Sequence, residues 1–176
     1  MKKGIALLLC ILLLAGSACA EVVLLKTPFE GVELTLDAPE NTTVEQSIDN
    51  EMVIIHVSYL EESTADYHII LAKSDLEGIE GRSLTDLTDA EVTQLAASSA
   101  NEMEDYKFYT DVLENGMTFL VLDEAGDKDE QAGVYTLIQG YLLGVRSDYH
   151  ESDKTITKQD YLNTIDLLGR MTLTVK

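Results

Sequence analysis

Five carboxylates crowd one stretch of the chain, DEAGDKDEQAG at residues 123–133: Asp123, Glu124, Asp127, Asp129 and Glu130. Calcium takes several oxygen ligands from flexible loops, which makes this run the leading cation site, with Asp123, Asp127, Asp129 and Glu130 as its ligands. The EF-hand pattern is not met. With Asp127, Asp129 and Gln131 at its first, third and fifth positions, the required glycine falls on Ala132 and the closing glutamate on Ile138. A different calcium geometry stays open beside the plainer reading, a solvated acidic loop.

The remaining chemistry-bearing residues form weaker patterns. His150 and Glu151 open HESDK as a zinc-protease helix would, but Lys154 stands where the second histidine belongs. His56 and His68 lie on two adjacent strand-like runs. A turn centred near residue 63 offsets them along the ladder, which predicts two partly buried strand histidines without a directly shared ligand and leaves diagonal proximity open. Gly81-Arg82-Ser83-Leu84-Thr85 matches four positions of the nucleophile elbow and lacks its last glycine, and it follows an antiparallel hairpin instead of a parallel strand. Carboxylate-pair hydrolysis would need two of the 32 acidic residues, and nothing in the sequence selects a pair. Tyr135, Tyr141 and Tyr149 are candidates for a binding surface, although strand tyrosines commonly serve as half-buried packing.

The N-terminus bounds where these groups act. MKKGIALLLCILLLAGSACA has a basic start, an apolar stretch from Ile5 to Ala15 and small residues at Ala18 and Ala20, the layout of a secretory signal peptide cleaved after Ala20. The stretch is short of the roughly 20 residues a membrane-spanning helix needs. A second reading makes Cys19 a lipid-modified N-terminus behind Gly16, Ser17 and Ala18, so membrane attachment depends on Cys19. Both cysteines, Cys10 and Cys19, lie in this leader, and the exported part is expected to have neither disulfide nor thiol nucleophile. The expected location is secreted or cell-envelope, extracytoplasmic and bacterial in style.

Removing residues 1–20 from the 176 leaves a length suited to one domain, 21–176, with 10 basic against 32 acidic side chains, a net charge of −22. Phosphate backbones and anionic headgroups are repelled by such a surface, which argues against nucleic acid. Proteins and small neutral or cationic ligands are the expected partners.

The elements that must position these residues follow from periodicity. VELTL at 32–36 alternates and ends in the turn-forming DAPEN, while 21–31 is a lead-in or a first edge strand. MVIIHVSYL at 52–60 and YHIILAK at 67–73 predict a hairpin. Ile79 to Arg82 reads as an exposed, protease-sensitive turn. Thr88 and Glu91 make a capping box for a helix from about Asp89 to Tyr106. Phe108–Leu113 and Met117–Leu122 flank Asn115-Gly116, which predicts a hairpin with a type I′ turn. Val134–Val145 reads as one long strand, its Gly140 and Gly144 marking a bulge or the close approach of a helix. Thr157 and Asp160 start a last helix ending near Gly169. The expected fold is α+β: an antiparallel sheet of about six strands packed with two main helices, in the order βββαβββα.

With that order, the VELTLDAPEN segment, the helix before FYTDVLENGMTFLVL and the closing TKQDYLNTIDLLGRM, the chain resembles the PsbP-like group over roughly residues 28–175. That group includes the DcrB-like bacterial envelope proteins. The resemblance implies a binding or assembly role and carries over no functional residue. The function expected from the sequence is therefore an extracytoplasmic, non-catalytic binding or accessory domain. The alternatives are a calcium or other cation binder acting through residues 123–130, and a hydrolase whose site has no recognised motif.

Overall fold

Strict alternation in VELTLDA drives Val32, Leu34, Leu36 and Ala38 to one side of a strand, and all four are buried. The computed structural model containing it describes residues 21–49, 52–59, 65–100, 106–124, 132–149 and 158–176. Residues 1–20, including Cys19, lie outside the described residues, as do Asp127, Asp129, Glu130 and the HESDK segment.

The described elements run β1 (Glu21–Leu25), β2 (Val32–Ala38), β3 (Thr42–Asp49), β4 (Met52–Tyr59), β5 (Ala65–Lys73), α1 (Asp89–Ser99), β6 (Tyr106–Val112), β7 (Thr118–Glu124), β8 (Ala132–Ile138), β9 (Tyr141–Tyr149), α2 (Lys158–Gly169) and β10 (Met171–Val175). A short 3-10 turn, Leu84–Asp86, precedes α1. The α+β class and the antiparallel pairing are as expected, with both helices packed on sheet. Instead of one sheet of about six strands there are two: a seven-stranded sheet ordered β3-β4-β5-β9-β8-β7-β6 and a three-stranded sheet ordered β1-β2-β10.

Two strands that the periodicity did not mark, β3 and β10, have physical reasons for escaping it. β3 reads TTVEQSID and is mostly polar because it is an edge strand with exposed residues on both faces. β10 reads MTLTV, only five residues, and its partner β2 lies at the opposite end of the chain.

Three local features also differ from expectation. The long strand 134–145 is a hairpin, broken at Gln139 and Gly140, whose φ values of 51° and 87° make a type I′-like connection. Gly140 is required there, because a Cβ would meet the backbone of Glu80 and Gly81 within 3.2 and 3.3 Å. At Asn115-Gly116 the hairpin forms, but only Gly116 has positive φ. Gly116 N–H donates to Leu113 O, and Asn115 Oδ1 accepts from Met117 N–H, so the connection is a three-residue loop with glycine at its left-handed position. Finally α1 stops at Ser99, and Tyr106 begins β6 opposite Glu124. The helical spacing of Tyr106 was coincidental, since YKFYTDV is an aromatic and β-branched run suited to a strand.

The packing has two cores. The first joins one face of the seven-stranded sheet, through Val53, Ile55, Ile69, Leu71, Val121, Val134, Leu143 and Val145, to the three-stranded sheet and to Leu167 and Leu168 of α2. The second covers the other face at β7, β8 and β9 with Leu95 and Ala96 of α1 and with Ile79 and Leu84 of the connector. Each fully buried aliphatic side chain contributes about 1.5–3 kcal/mol of transfer free energy.

Candidate functional site

The second core reaches only half of its face. That core does not extend over β3, β4 and β5, and strand alternation decides which side chains point outward. Val53, Ile55 and Val57 point inward on β4, so Ile54, His56 and Ser58 point outward; on β5, Tyr67, Ile69 and Leu71 point inward, so His68, Ile70 and Ala72 point outward.

Pairing registers convert these positions into a row across the sheet. Glu45 faces His56, His56 faces His68, His68 faces Arg146, and Arg146 faces Gly133. The histidine rings stand 4.3 Å apart between centroids, edge to face at 63°, and both side chains are half-buried. The expected offset between them is thus overturned: the ladder is centred on residue 62, one earlier than assumed, and brings 56 opposite 68. Alternation alone could not have settled this. Shifting a hairpin's centre by one residue changes each partner by two and keeps every side chain on its own face.

The row ends at a phenol. Tyr135 stands opposite Gly144, and its ring occupies the space that Cβ atoms on Gly144 and Gly133 would fill, at 2.4 Å from Cδ1 and 2.6 Å from Cε2. Gly144 is therefore a close-approach glycine, for a tyrosine ring and not for a helix. The ring runs toward Gly133, the register partner of Arg146, and the Tyr135 hydroxyl is buried with no hydrogen-bond partner among the described residues. Burial raises the pKa of this phenol, and the nearby Arg146 charge works against the rise. Beside the row lies an apolar one, Ser47–Ile54–Ile70–Gly144, continuing to Tyr135 and Leu120. Imidazoles and a guanidinium thus border half-exposed isoleucines, a mixture suited to a recognition surface.

The other candidates are distributed as follows. Asp123 is exposed within β7, in register with Lys107 and Ala132, and so belongs to the ladder instead of the loop. Among the described residues no three His, Cys, Asp or Glu side chains converge where a metal ion would fit. Tyr135, a candidate surface residue, is buried, Tyr141 packs against Phe29 with ring centroids 5.1 Å apart, and the side chain of Tyr149 lies outside the described set. Ser83 caps the 3-10 turn, donating its N–H to Asp86 Oδ2 at 2.8 Å, and adopts no strand-to-helix elbow.

The expected turn forms, with Arg82 N–H donating to Ile79 O at 3.0 Å and with Glu80 and Gly81 exposed, but it is clamped at both ends. Ile79 is buried, and Arg82 grips Glu91 with two bonds of 2.6 and 3.0 Å. Glu91 also accepts from Thr88 N–H at 2.7 Å, closing the expected capping box. The Arg82 hydrogen bonds first, and then those from Thr88, hold the Glu91 carboxyl down at about 2.

A buried polar group ties α2 to the sheet. Tyr67 donates its hydroxyl proton to Asp160 Oδ1 at 3.0 Å and accepts from Asn163 Nδ2 at 2.7 Å. Ser147, opposite Tyr67 in the ladder, is buried beside it. Ser147 and Asp160 are both buried, and the Tyr67 hydrogen bonds tether α2 to the sheet.

Fold and surface together define an α+β protein of two antiparallel sheets, with an imidazole pair on the open half of the larger one. No protein-family model matches the chain, and no curated protein matches it significantly. Among the described residues no helix is long and apolar enough to cross a membrane.

Proposed function

We propose that the chain is a non-catalytic binding or accessory domain acting outside the cytoplasm, and that it engages a protein partner through the open face of β3, β4, β5 and β9. The observation that carries this reading is the His56–His68 pair: two imidazoles in direct register, half-exposed on strands whose opposite face is core. The polar row offers a partner hydrogen-bonding groups, and the adjoining Ile54 and Ile70 offer it apolar surface. The leader-like residues 1–20, with cleavage after Ala20 or lipid attachment at Cys19, support export. The resemblance to the PsbP-like group supports an assembly role over an enzymatic one.

The test is site-specific photocross-linking in cells that export the protein. A photoreactive residue at position 54 should give one discrete adduct that disappears when His56 and His68 are both alanine, while the same residue at the exposed position 94 on α1 should give none. Equal labelling at 54 and 94, or an adduct indifferent to both histidines, would overturn the reading.

A further inference from the structure

The strand at the far end of the large sheet is left open. β6 pairs with β7 and, among the described residues, with nothing else. Edge strands are ordinarily blunted by brevity, proline, bulges or charged side chains, and the two charges that β6 carries are of opposite sign. β6 has seven residues, no proline, and apolar side chains in water: Val112 is 58% exposed, Tyr109 47% and Phe108 37%.

We propose that β6 pairs antiparallel with β6 of a second copy of this chain, about a two-fold axis at Tyr109. A strand paired with itself sets positions before the axis against positions after it. About Tyr109, Tyr106 faces Val112 of the second copy, Lys107 faces Asp111, and Phe108 faces Thr110. Lys107 and Asp111 are the strand's only charged residues, and this is the symmetric register that opposes them. An axis one residue either way would set Lys107 against Tyr109 or Leu113.

The backbone independently fits that register. Leu113 N–H donates to Met117 O, toward β7. Because N–H groups alternate sides along a strand, those of Val112, Thr110, Phe108 and Tyr106 point to the open edge. These four residues face one another across the Tyr109 axis, so each facing pair exchanges both N–H···O bonds. Lys107 and Asp111 then fall in non-hydrogen-bonded pairs, where opposing side chains stand closest. In the single chain, Asp111 Oδ1 accepts from the open-edge Val112 N–H at 2.8 Å, occupying the place a partner's carbonyl would take. Lys107, Tyr109 and Asp111 share the side on which the Tyr109 hydroxyl meets that of Tyr161 at 2.8 Å, while Phe108 and Val112 share the other, where they cover each other across the axis.

Sedimentation of the full chain over a concentration series tests this. The wild type should show a reversible monomer–dimer equilibrium. Because the axis doubles every substitution, Lys107→Glu and Asp111→Lys should each weaken the dimer about tenfold by setting like charges opposite. Both positions are exposed, and circular dichroism checks that the fold is kept. An equimolar mixture of the two variants should dimerise again, as should the chain carrying both reversals, since each restores opposite charges in this register alone. A wild type that stays monomeric at its solubility limit, a dimer indifferent to either reversal, or a mixture that fails to recover would each overturn the proposal.

Discussion

On one face of the seven-stranded sheet, Val53, Ile55 and Val57 of β4 and Tyr67, Ile69 and Leu71 of β5 are sealed in a core with the three-stranded sheet and α2. On the other face of the same strands, Ile54, His56, His68 and Ile70 stay half-exposed, because the core made by α1 and the 76–87 connector is built over β7, β8 and β9. Neighbouring residues on one strand therefore answer to different demands. An inward residue is held by volume and burial, and an outward one is free to carry recognition chemistry.

The sharpest test of that contrast is truncation on each face. Ile55→Ala should cost about 2–5 kcal/mol by emptying a fully buried site, whereas Ile70→Ala, half-exposed, should cost about 1 kcal/mol. Chemical denaturation measures both, and equal costs would abolish the distinction. Next in size is Gly144→Ala at the boundary between the open half and the covered half. Its Cβ would sit 2.4 Å from the Tyr135 ring, so we expect about 1–3 kcal/mol of overpacking. Adding Tyr135→Leu should recover part of that loss, because the ring is what the methyl meets; a double-mutant cycle with no coupling would contradict the contact.

The covered half depends on its helix start. Thr88→Ala should lower stability by about 1 kcal/mol through loss of the cap. Glu91 adds a pH signature. Its carboxyl is depressed to about 2 by Arg82 and Thr88, so its stabilisation is fully present above the ordinary carboxylate range and is lost as pH falls toward 2. The stability difference between wild type and Glu91→Gln should be constant at neutral pH and vanish in acid; a difference that persists at pH 2 would show that the pairing is not its source. The smallest effects belong to the open face. His56→Ala and His68→Ala should each change stability by no more than about 0.5 kcal/mol, while the two together remove the adduct expected at position 54. Tyr135→Phe should be neutral or slightly stabilising, because the hydroxyl it deletes is buried without a partner among the described residues.

What could be read from the chain were the features made by near neighbours. Thr88 with Glu91 marked the start of α1, the VELTLDA alternation marked β2, and the hairpins β4–β5 and β6–β7 were legible from their apolar runs. Two of the misread features depended on something distant. The left-handed geometry at Gln139-Gly140 is supported by the backbone of residues 79–82, which packs on that turn, and Gly140 N–H donates to Arg82 O at 2.8 Å. β10 finds β2 across nearly the whole chain. For the site, His56 and His68 were visible as strand residues, but not as a pair.

Sequence by itself determined the acidic balance of the chain, its α+β class, the start of α1 and the inward or outward sense of its central strands, because these follow from composition, from capping chemistry and from a side-chain period of two; Thr157, the expected start of the last helix, lies outside the described residues. Tertiary structure alone decided that a second sheet forms, that α1 leaves β4 and β5 open, and that His56 stands opposite His68. The reason is that alternation constrains pairing only in steps of two residues, so it keeps both histidines on one face in either register, and only the closed hairpin within the assembled sheet selects the one in which they meet.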